Sequence, residues 1–430
     1  MANIIVVWGL WGPYHCCRLE AFRQLGREQG HEVTGISLFS GSSVNQWRVE
    51  NLPEGVVHIN LGGDETRLPI RYLHKLASIP RTFRADVALL PSYGHWSLVL
   101  NAAARLSGGR VVMMNETHGG TARARGWKGA LKQRVVAGFD AALVGGAPHS
   151  RYFASLGLAE DRIFTGYDAI DNDYFAQAAD GATRREPEIR AQLELPKQYF
   201  LSLGRFVAKK NLPTLIRGYH QFLRANPLVK THLVMVGSGD EELNLRSLCE
   251  QLRLPVYEKK SAGKGDQKSE NNNLPPGIHF YGFRQIEENP LFYALADAFI
   301  LPSLWEEWGL VVNEAMASGL PVVVSETAGC AEDLLESPAS MHLSAAELDR
   351  VGQLNLQDRL RQNGLVFNPE SSDELARALS LLEACPQLRQ SMGQSARKVV
   401  EKFSCRNFAE NALRAVQSAR TERQPGVGDR

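Results

Sequence analysis

Short runs of aliphatic and β-branched residues recur along this 430-residue chain, separated by stretches with helical periodicity, and the series runs twice. Runs that are apolar at nearly every position read as strands buried on both faces, the state of a parallel sheet covered by helices. The first series predicts strands at Asn3–Val7, Glu32–Leu38, Val56–Asn60, Asp86–Leu90, Arg110–Met114, Ala141–Val144 and Arg162–Thr165. Helix-like segments such as Cys17–Gln29 and Leu98–Leu106 lie between them. The second series predicts strands at Tyr199–Leu203, Thr231–Val236, Ile278–Tyr281, Ala298–Leu301, Pro321–Val324 and Leu365–Phe367. Between the two, Asp180–Pro196 is polar and proline-punctuated, as linkers tend to be. The expectation is therefore an α/β protein with two doubly wound parallel-sheet domains: 1–185, a linker at 186–196, and 197–400. Residues 401–430 are expected to form a helix, a candidate to return to the first domain, and a tail fraying from about Ser418. Open sheets of this kind bind ligands outside the carboxyl ends of their strands, so a ligand held between the two domains is expected.

Charge excludes little overall, since 48 Lys and Arg face 47 Asp and Glu, and it gives no reason to expect nucleic acid. Locally, twelve basic residues between Arg67 and Arg134 are opposed only by Asp86 and Glu116. That stretch is read either as a solvated face or, through Arg71–Arg84 and Arg123–Arg134 with Phe83 and Trp127, as a peripheral contact with anionic lipid. Cys16, Cys17, Cys249, Cys330, Cys385 and Cys405 show neither a Cys-x-x-Cys pair nor metal-ligand spacing, which suits reduced thiols and a cytoplasmic location. The opening residues lack a basic n-region, and no run of eighteen apolar residues exists. Glu258–Pro276 reads as an exposed loop, and Ser337–Arg361 as a partly helical surface elaboration.

The segment most informative about chemistry runs from Leu301 to Val324 and reads strand, loop, helix, strand. Glu306 lies in the loop, Gly309 allows a close approach, and a helix begins near Leu310 with Glu314 one turn inside. Open amides of Leu310, Val311 and Val312 at the helix start would favour a phosphate. An ionised carboxylate can accept two hydroxyl hydrogen bonds, so a carboxylate on each side of a diphosphate could grip a sugar at one end and a ribose at the other. Read alone, the same residues are also an acidic loop before an ordinary core helix.

This segment resembles the motif of the retaining GT-B glycosyltransferases of family 4, also called glycosyl transferases group 1. The resemblance implies that Glu306 contacts the donor sugar and Glu314 the nucleotide ribose, with Glu307 ranked second to Glu306. Upstream, Leu203-Gly-Arg-Phe-Val-Ala-Lys-Lys-Asn resembles the family's Gly-Arg followed by Lys-Gly, which gives Arg205 and Lys210 to the donor diphosphate and puts Asn211 where glycine is common. Further matches are Val236-Gly-Ser-Gly-Asp, the turn at Gly282 and Phe283 beside the base, and Ala328-Gly-Cys-Ala-Glu-Asp. In the last of these, the amides of Gly329 and Cys330 would meet sugar hydroxyls.

In the first domain the glycine-rich loop of the family is replaced by Trp8-Gly-Leu-Trp-Gly-Pro-Tyr-His, which makes Gly12 and His15 acceptor-side candidates. His118, in Asn-Glu-Thr-His-Gly-Gly, is the best match to the family's acceptor-side histidine, with His95 its rival. Asp171-Asn-Asp173 stands near the domain junction, away from a metal-bearing strand end, so no metal and no cofactor are expected. The resemblance thus implies a metal-independent, retaining hexosyltransferase that uses a nucleotide-sugar donor and a glycan, lipid-linked or small-molecule acceptor, as in polysaccharide biosynthesis. The alternatives are a sugar-nucleotide epimerase of the same architecture and a non-catalytic sugar-nucleotide binder.

Overall fold

The computed structural model describes residues 1–39, 52–61, 70–91, 94–122, 127–258 and 274–421, apart from the side chains of His95 and Ser340. The chain divides into two compact units, Met1–Asp171 with Phe403–Arg430, and Asn172–Lys402.

The first unit is built on β1 (Asn3–Trp8), β2 (Glu32–Ser37), β3 (Val56–His58), β4 (Val87–Pro91), β5 (Arg110–Asn115), β6 (Ala141–Val144) and β7 (Ile163–Phe164). They form one parallel sheet in the order β3-β2-β1-β4-β5-β6-β7. Successive side chains face opposite sides of a strand, and each side here has its own core. Ile4, Val6, Leu89, Val112 and Met114 pack in one cluster; Ile5, Val7, Leu90, Val111 and Met113 pack in the other. The first cluster is closed by the helices Pro13–Glu28 and Cys405–Arg420. The second of these helices buries Phe408, Ala409, Ala412, Leu413, Ala415, Val416 and Ala419, a stripe at helical spacing whose alanines allow a close approach.

The second unit continues the count with β8 (Tyr199–Leu203), β9 (His232–Val236), β10 (Val256–Glu258), β11 (Ile278–Phe280), β12 (Ala298–Leu301), β13 (Val322–Ser325), β14 (Leu360–Arg361) and β15 (Gly364–Phe367). The sheet order is β10-β11-β9-β8-β12-β13-β15-β14, parallel except for β14 against β15. Both sheets therefore have the doubly wound, Rossmann-like form expected of GT-B.

Three expectations about organisation need correction. The unit boundary falls after Asp171, not at 185, and the second unit ends at Lys402. The segment read as a linker is helical, Asn172–Arg184 followed by Glu186–Leu193, and belongs to the second unit. Pro187 sits in the first turn of its helix, where its missing N–H costs no hydrogen bond. Ser337–Arg361 is more than surface: it contains the helix Ala345–Gln353 and the strand β14, and Val351, Leu356 and Leu360 enter the core. Of the expected tail, residues 418–420 close the last helix, while 422–430, like 259–273 of the expected loop, lie outside the described residues. Among the described residues, no helix is long and apolar enough to cross a membrane.

Candidate active site

In the second unit the candidate residues gather on the segments that follow β8, β12 and β13, at the carboxyl ends of the strands. After β8 the chain makes a short 3-10 turn, Ala208–Lys210, and then enters the helix Leu212–Ala225 through Asn211. Asn211 has φ of 53°, the left-handed region that glycine tolerates best and asparagine next. Asparagine adds what glycine cannot: its Nδ2 donates to the carbonyls of Pro302 (3.1 Å) and Pro369 (2.8 Å), and its Oδ1 accepts from Thr214 Oγ1 at 2.9 Å. The turn is thereby pinned to the loop after β12, and Leu304 N–H donates to Lys209 O at 2.9 Å across the same junction.

That junction brings Lys209 and Lys210 onto Glu306. Lys209 Nζ donates to Glu306 Oε1 at 3.0 Å and to Glu307 Oε2 at 2.5 Å. Lys210 Nζ donates to Glu306 Oε2, which also accepts from Ser303 Oγ at 3.3 Å. Glu306 is only 7% exposed. Burial alone would raise its pKa, but Lys210 and then Lys209 outweigh burial and hold it below the ordinary glutamate value. Lys209 shows the converse: burial lowers its pKa, and Glu306 and Glu307 raise it by more. Glu306 is thus a desolvated carboxylate kept charged by two ammonium groups. Arg205 stands exposed on the same loop, and together with Lys210, Ser202, Gly204 and Pro302 it lines a small pocket at the end of β8.

The loop that carries Glu306 is itself clamped. Gly329 N–H donates to Glu306 O at 3.0 Å, and Cys330 N–H to Trp308 O at 3.3 Å. A side chain at position 329 would place its Cβ 1.9 Å from the carbonyl oxygen of Glu307, so only glycine fits. This corrects one expectation: the amides of Gly329 and Cys330 hold the loop and are not presented to a ligand. Gly309, at φ of 108°, turns the chain into the helix Leu310–Ala317. Val312 N–H donates to Gly309 O at 2.8 Å, so of the three amides expected to be open, that of Val312 is occupied. Leu310 and Val311 are half-buried at the first turn. Gly282 accepts Gly237 N–H at 2.8 Å through its carbonyl, joining the turns after β9 and β11, with Phe283 half-buried beside it.

Glu314 is fully buried. Its Oε2 accepts from Tyr293 Oη at 3.1 Å and from Asn289 Nδ2 at 3.2 Å, both on the helix Asn289–Ala294. Tyr293 Oη also lies 3.4 Å from Val311 O. The motif matches did not single out Asn289, Tyr293 or Ser303. Lys209 was visible only as the neighbour of Lys210.

The first unit holds the acceptor-side candidates. Gly12 is the N-cap of Pro13–Glu28, and its N–H donates to His15 Nδ1 at 2.9 Å. The His15 ring stacks on Trp8, with centroids 4.7 Å apart. Burial and then Arg18 lower its pKa to about 3, so His15 is neutral, and because Nδ1 accepts, the proton sits on Nε2. His118, after β5, is buried; its Nδ1 accepts from Gly120 N–H at 3.2 Å and its ring packs edge-on against His149, with centroids 5.2 Å apart. His95 opens the helix His95–Leu106, and its side chain lies outside the described residues. Behind these, Arg18 and Asp168 are buried 3.9 Å apart. Burial and then Glu116 push the Asp168 carboxyl well above its usual range, against the pull of Arg18.

The basic stretch is dispersed. Arg105 and Arg110 pair with Asp140 at 2.9 and 3.7 Å, Lys75 donates to Ile59 O, and Lys132 lies over Tyr152. Arg67, Arg123 and Arg125 lie outside the described residues. Trp127 and Leu131 are exposed on the helix Trp127–Val136. Asp171 lies at the end of the first unit's opening segment, and Asp173 lies in the first turn of a helix of the second. Among the described residues, no group of three or more His, Cys, Asp or Glu is arranged to hold a metal ion.

Known proteins resemble this chain in sequence and in fold. Residues 197–385 match the family of glycosyl transferases group 1. The chain is 32% identical over 160 residues to mannosylfructose-phosphate synthase of Agrobacterium fabrum, covering 37% of this chain and 31% of that one. It is 30% identical over 182 residues to a sulfoquinovosyl transferase of Arabidopsis thaliana, covering 42% and 31%. The chain thus spans about a third of the length of these curated relatives. Among solved structures, a glycosyltransferase from Rickettsia africae aligns with a TM-score of 0.69 at 14% identity, covering 98% of this chain and 99% of its own. Anabaena HepE in complex with UDP aligns with a TM-score of 0.67 at 17% identity, covering 97% and 100%. The fold is therefore GT-B, and residues 197–385, which carry Arg205, Lys210, Glu306 and Glu314, match the glycosyl transferases group 1.

Proposed function

We propose that this chain is a retaining, metal-independent glycosyltransferase that moves a hexosyl group from a nucleoside-diphosphate donor to an acceptor hydroxyl. The observation that carries the reading is the convergence of Glu306, Lys209 and Lys210, a charged carboxylate and two ammonium groups on the segments after β8 and β12. A leaving diphosphate is an anion, and the charge developing on it would be met by Lys210, Arg205 and the start of the helix Leu310–Ala317. Glu306 would accept hydrogen bonds from the sugar and Glu314 from the ribose, the roles that the motif resemblance implies. The rings of His15 and His118 would stand on the acceptor side. Retention follows from the family resemblance, and no covalent nucleophile is assigned. Anabaena HepE, solved with UDP and with UDP-glucose, supports a uridine donor as the first to try.

The test is thermal stabilisation by UDP-, GDP-, ADP- and dTDP-sugars without added metal, followed by transfer assays with the nucleotide that binds. A donor at about a hundred times its dissociation constant stabilises by about 2.7 kcal/mol. Glu314→Ala should abolish the shift and the transfer. A flat response across the panel, or full transfer by Glu314→Ala, would overturn the reading.

A further inference from the structure

Two of the six cysteines lie together in the first unit. Cys17, in the second turn of Pro13–Glu28, and Cys405, the first residue of Cys405–Arg420, are both half-buried, and Cys405 Sγ donates to Cys17 Sγ at 2.7 Å. That is only about 0.7 Å longer than a covalent S–S bond. The approach is built in by what surrounds it. Phe408 packs edge-on against Phe22 with ring centroids 6.2 Å apart, locking one helix on the other. Ser404 caps the second helix, its Oγ accepting Asn407 N–H at 3.3 Å, and Ile170 bridges to Ser404 beside it. Cys16 points elsewhere, its Sγ against Gly12 O at 3.6 Å.

We propose that Cys17 and Cys405 form a dithiol site that reacts with low-molecular-weight disulfides and closes into an intramolecular disulfide, fastening the C-terminal helix to the first helix of the chain. Cys405 gives its S–H to Cys17, and that bond, with burial, pushes the Cys405 thiol far up, so Cys17 is the attacking sulfur. As a thiolate it attacks one sulfur of the small disulfide; that S–S bond breaks and one small thiolate leaves and is protonated. Cys405 then loses its proton and attacks the Cys17 sulfur, expelling the second small thiol. Two protein thiols are oxidised and one small disulfide is reduced to two thiols, so the exchange balances. The chain leaves the first unit after Asp171 and returns at Phe403, so the new bond would fasten the returning segment two residues inside the unit.

The test uses the full chain, reduced, freed of reductant and then incubated with glutathione disulfide. Tryptic peptides without reduction should show Met1–Arg18 joined to Phe403–Arg406. Cys16→Ser should retain this cross-link, and Cys17→Ser and Cys405→Ser should each lose it. Thermal unfolding of the oxidised chain should move to higher temperature and return after reduction. Circular dichroism of each variant secures that a lost cross-link is not a lost fold. A natively folded wild type that forms no such cross-link, or forms it only after addition of urea, overturns the proposal. Loss of the cross-link in Cys16→Ser with retention in Cys17→Ser overturns it equally.

Discussion

Replacing Lys209 with glutamine leaves Glu306 with Lys210 and Ser303 but removes an ammonium 3.0 Å from a carboxylate that is 7% exposed. An opposite charge this close holds a carboxylate below its usual range. Lys209 is itself only 19% exposed, so water screens the pair little; its loss should raise the Glu306 pKa and cost about 1.5 to 3 kcal/mol, the range for a hydrogen bond to a charged group. The sign follows from linkage. In the native protein the Glu306 pKa lies below its unfolded value, so its contribution is present above the ordinary glutamate range and is lost as pH falls through the folded pKa. In the variant the folded pKa is higher. The stability gap between native and Lys209→Gln should therefore be small in acid, open across the interval between the two folded values, and stay constant above both. Urea titrations at pH 4 to 7, followed by tryptophan fluorescence, with Trp305 and Trp308 flanking the site, would read it. Glu307→Gln is the control: Glu307 is 40% exposed, and its pair with Lys209 is worth at most about 1 kcal/mol. A gap that is the same at pH 4 and pH 7, or one matched by Glu307→Gln, would refute the assignment of two cations to Glu306.

Gly329→Ala should cost about 1 to 3 kcal/mol or more by overpacking, because its Cβ would meet the Glu307 carbonyl at 1.9 Å, and thermal unfolding reads this directly. Asn211→Gly keeps the left-handed turn but loses the hydrogen bonds to Pro302 and Pro369, about 1 to 3 kcal/mol, and Asn211→Ala should be worse because it adds backbone strain. An alanine variant as stable as the glycine variant would show that the turn is not left-handed in solution. With its pKa near 3, His15 should stay neutral from pH 5 to 8 with its proton on Nε2, which nitrogen-detected NMR would show as a flat titration.

The strands were legible because a buried parallel strand must be apolar at nearly every position, and β1, β5, β12 and β13 are so. The two strands that were missed, Val256–Glu258 and Leu360–Arg361, are too short to carry a pattern and take their conformation from β11 and β15. Asp180–Pro196 misled because Pro187 was read as a break, whereas in the first turn of a helix proline marks a beginning. Glu306 and Lys210 could be named from motif spacing, but the involvement of Lys209 depends on a 3-10 turn that brings two consecutive side chains onto one carboxylate. Asn289 and Tyr293 lie four apart on one helical face, a visible spacing, yet nothing local says that the face meets Glu314.

The two glutamates of the motif are held by different means, and the difference bears on how a donor would enter. Glu314 Oε2 is met by an amide and a phenol, neutral donors on a helix of the core, so its position does not depend on what binds nearby. Glu306 is met by cations, and one of them, Lys210, is a residue that the proposed reading gives to the donor diphosphate. A diphosphate carries more charge than a carboxylate and would draw Lys210 toward itself. Were Lys210 the sole partner, that movement would leave Glu306 buried and uncompensated, its pKa would climb, and the carboxylate needed for the sugar would tend to protonate. Lys209 removes the conflict, because it reaches Glu306 through the other oxygen and is balanced on its far side by Glu307. Two adjacent lysines on one turn can thus serve two anions at once, which a single lysine at position 210 could not do.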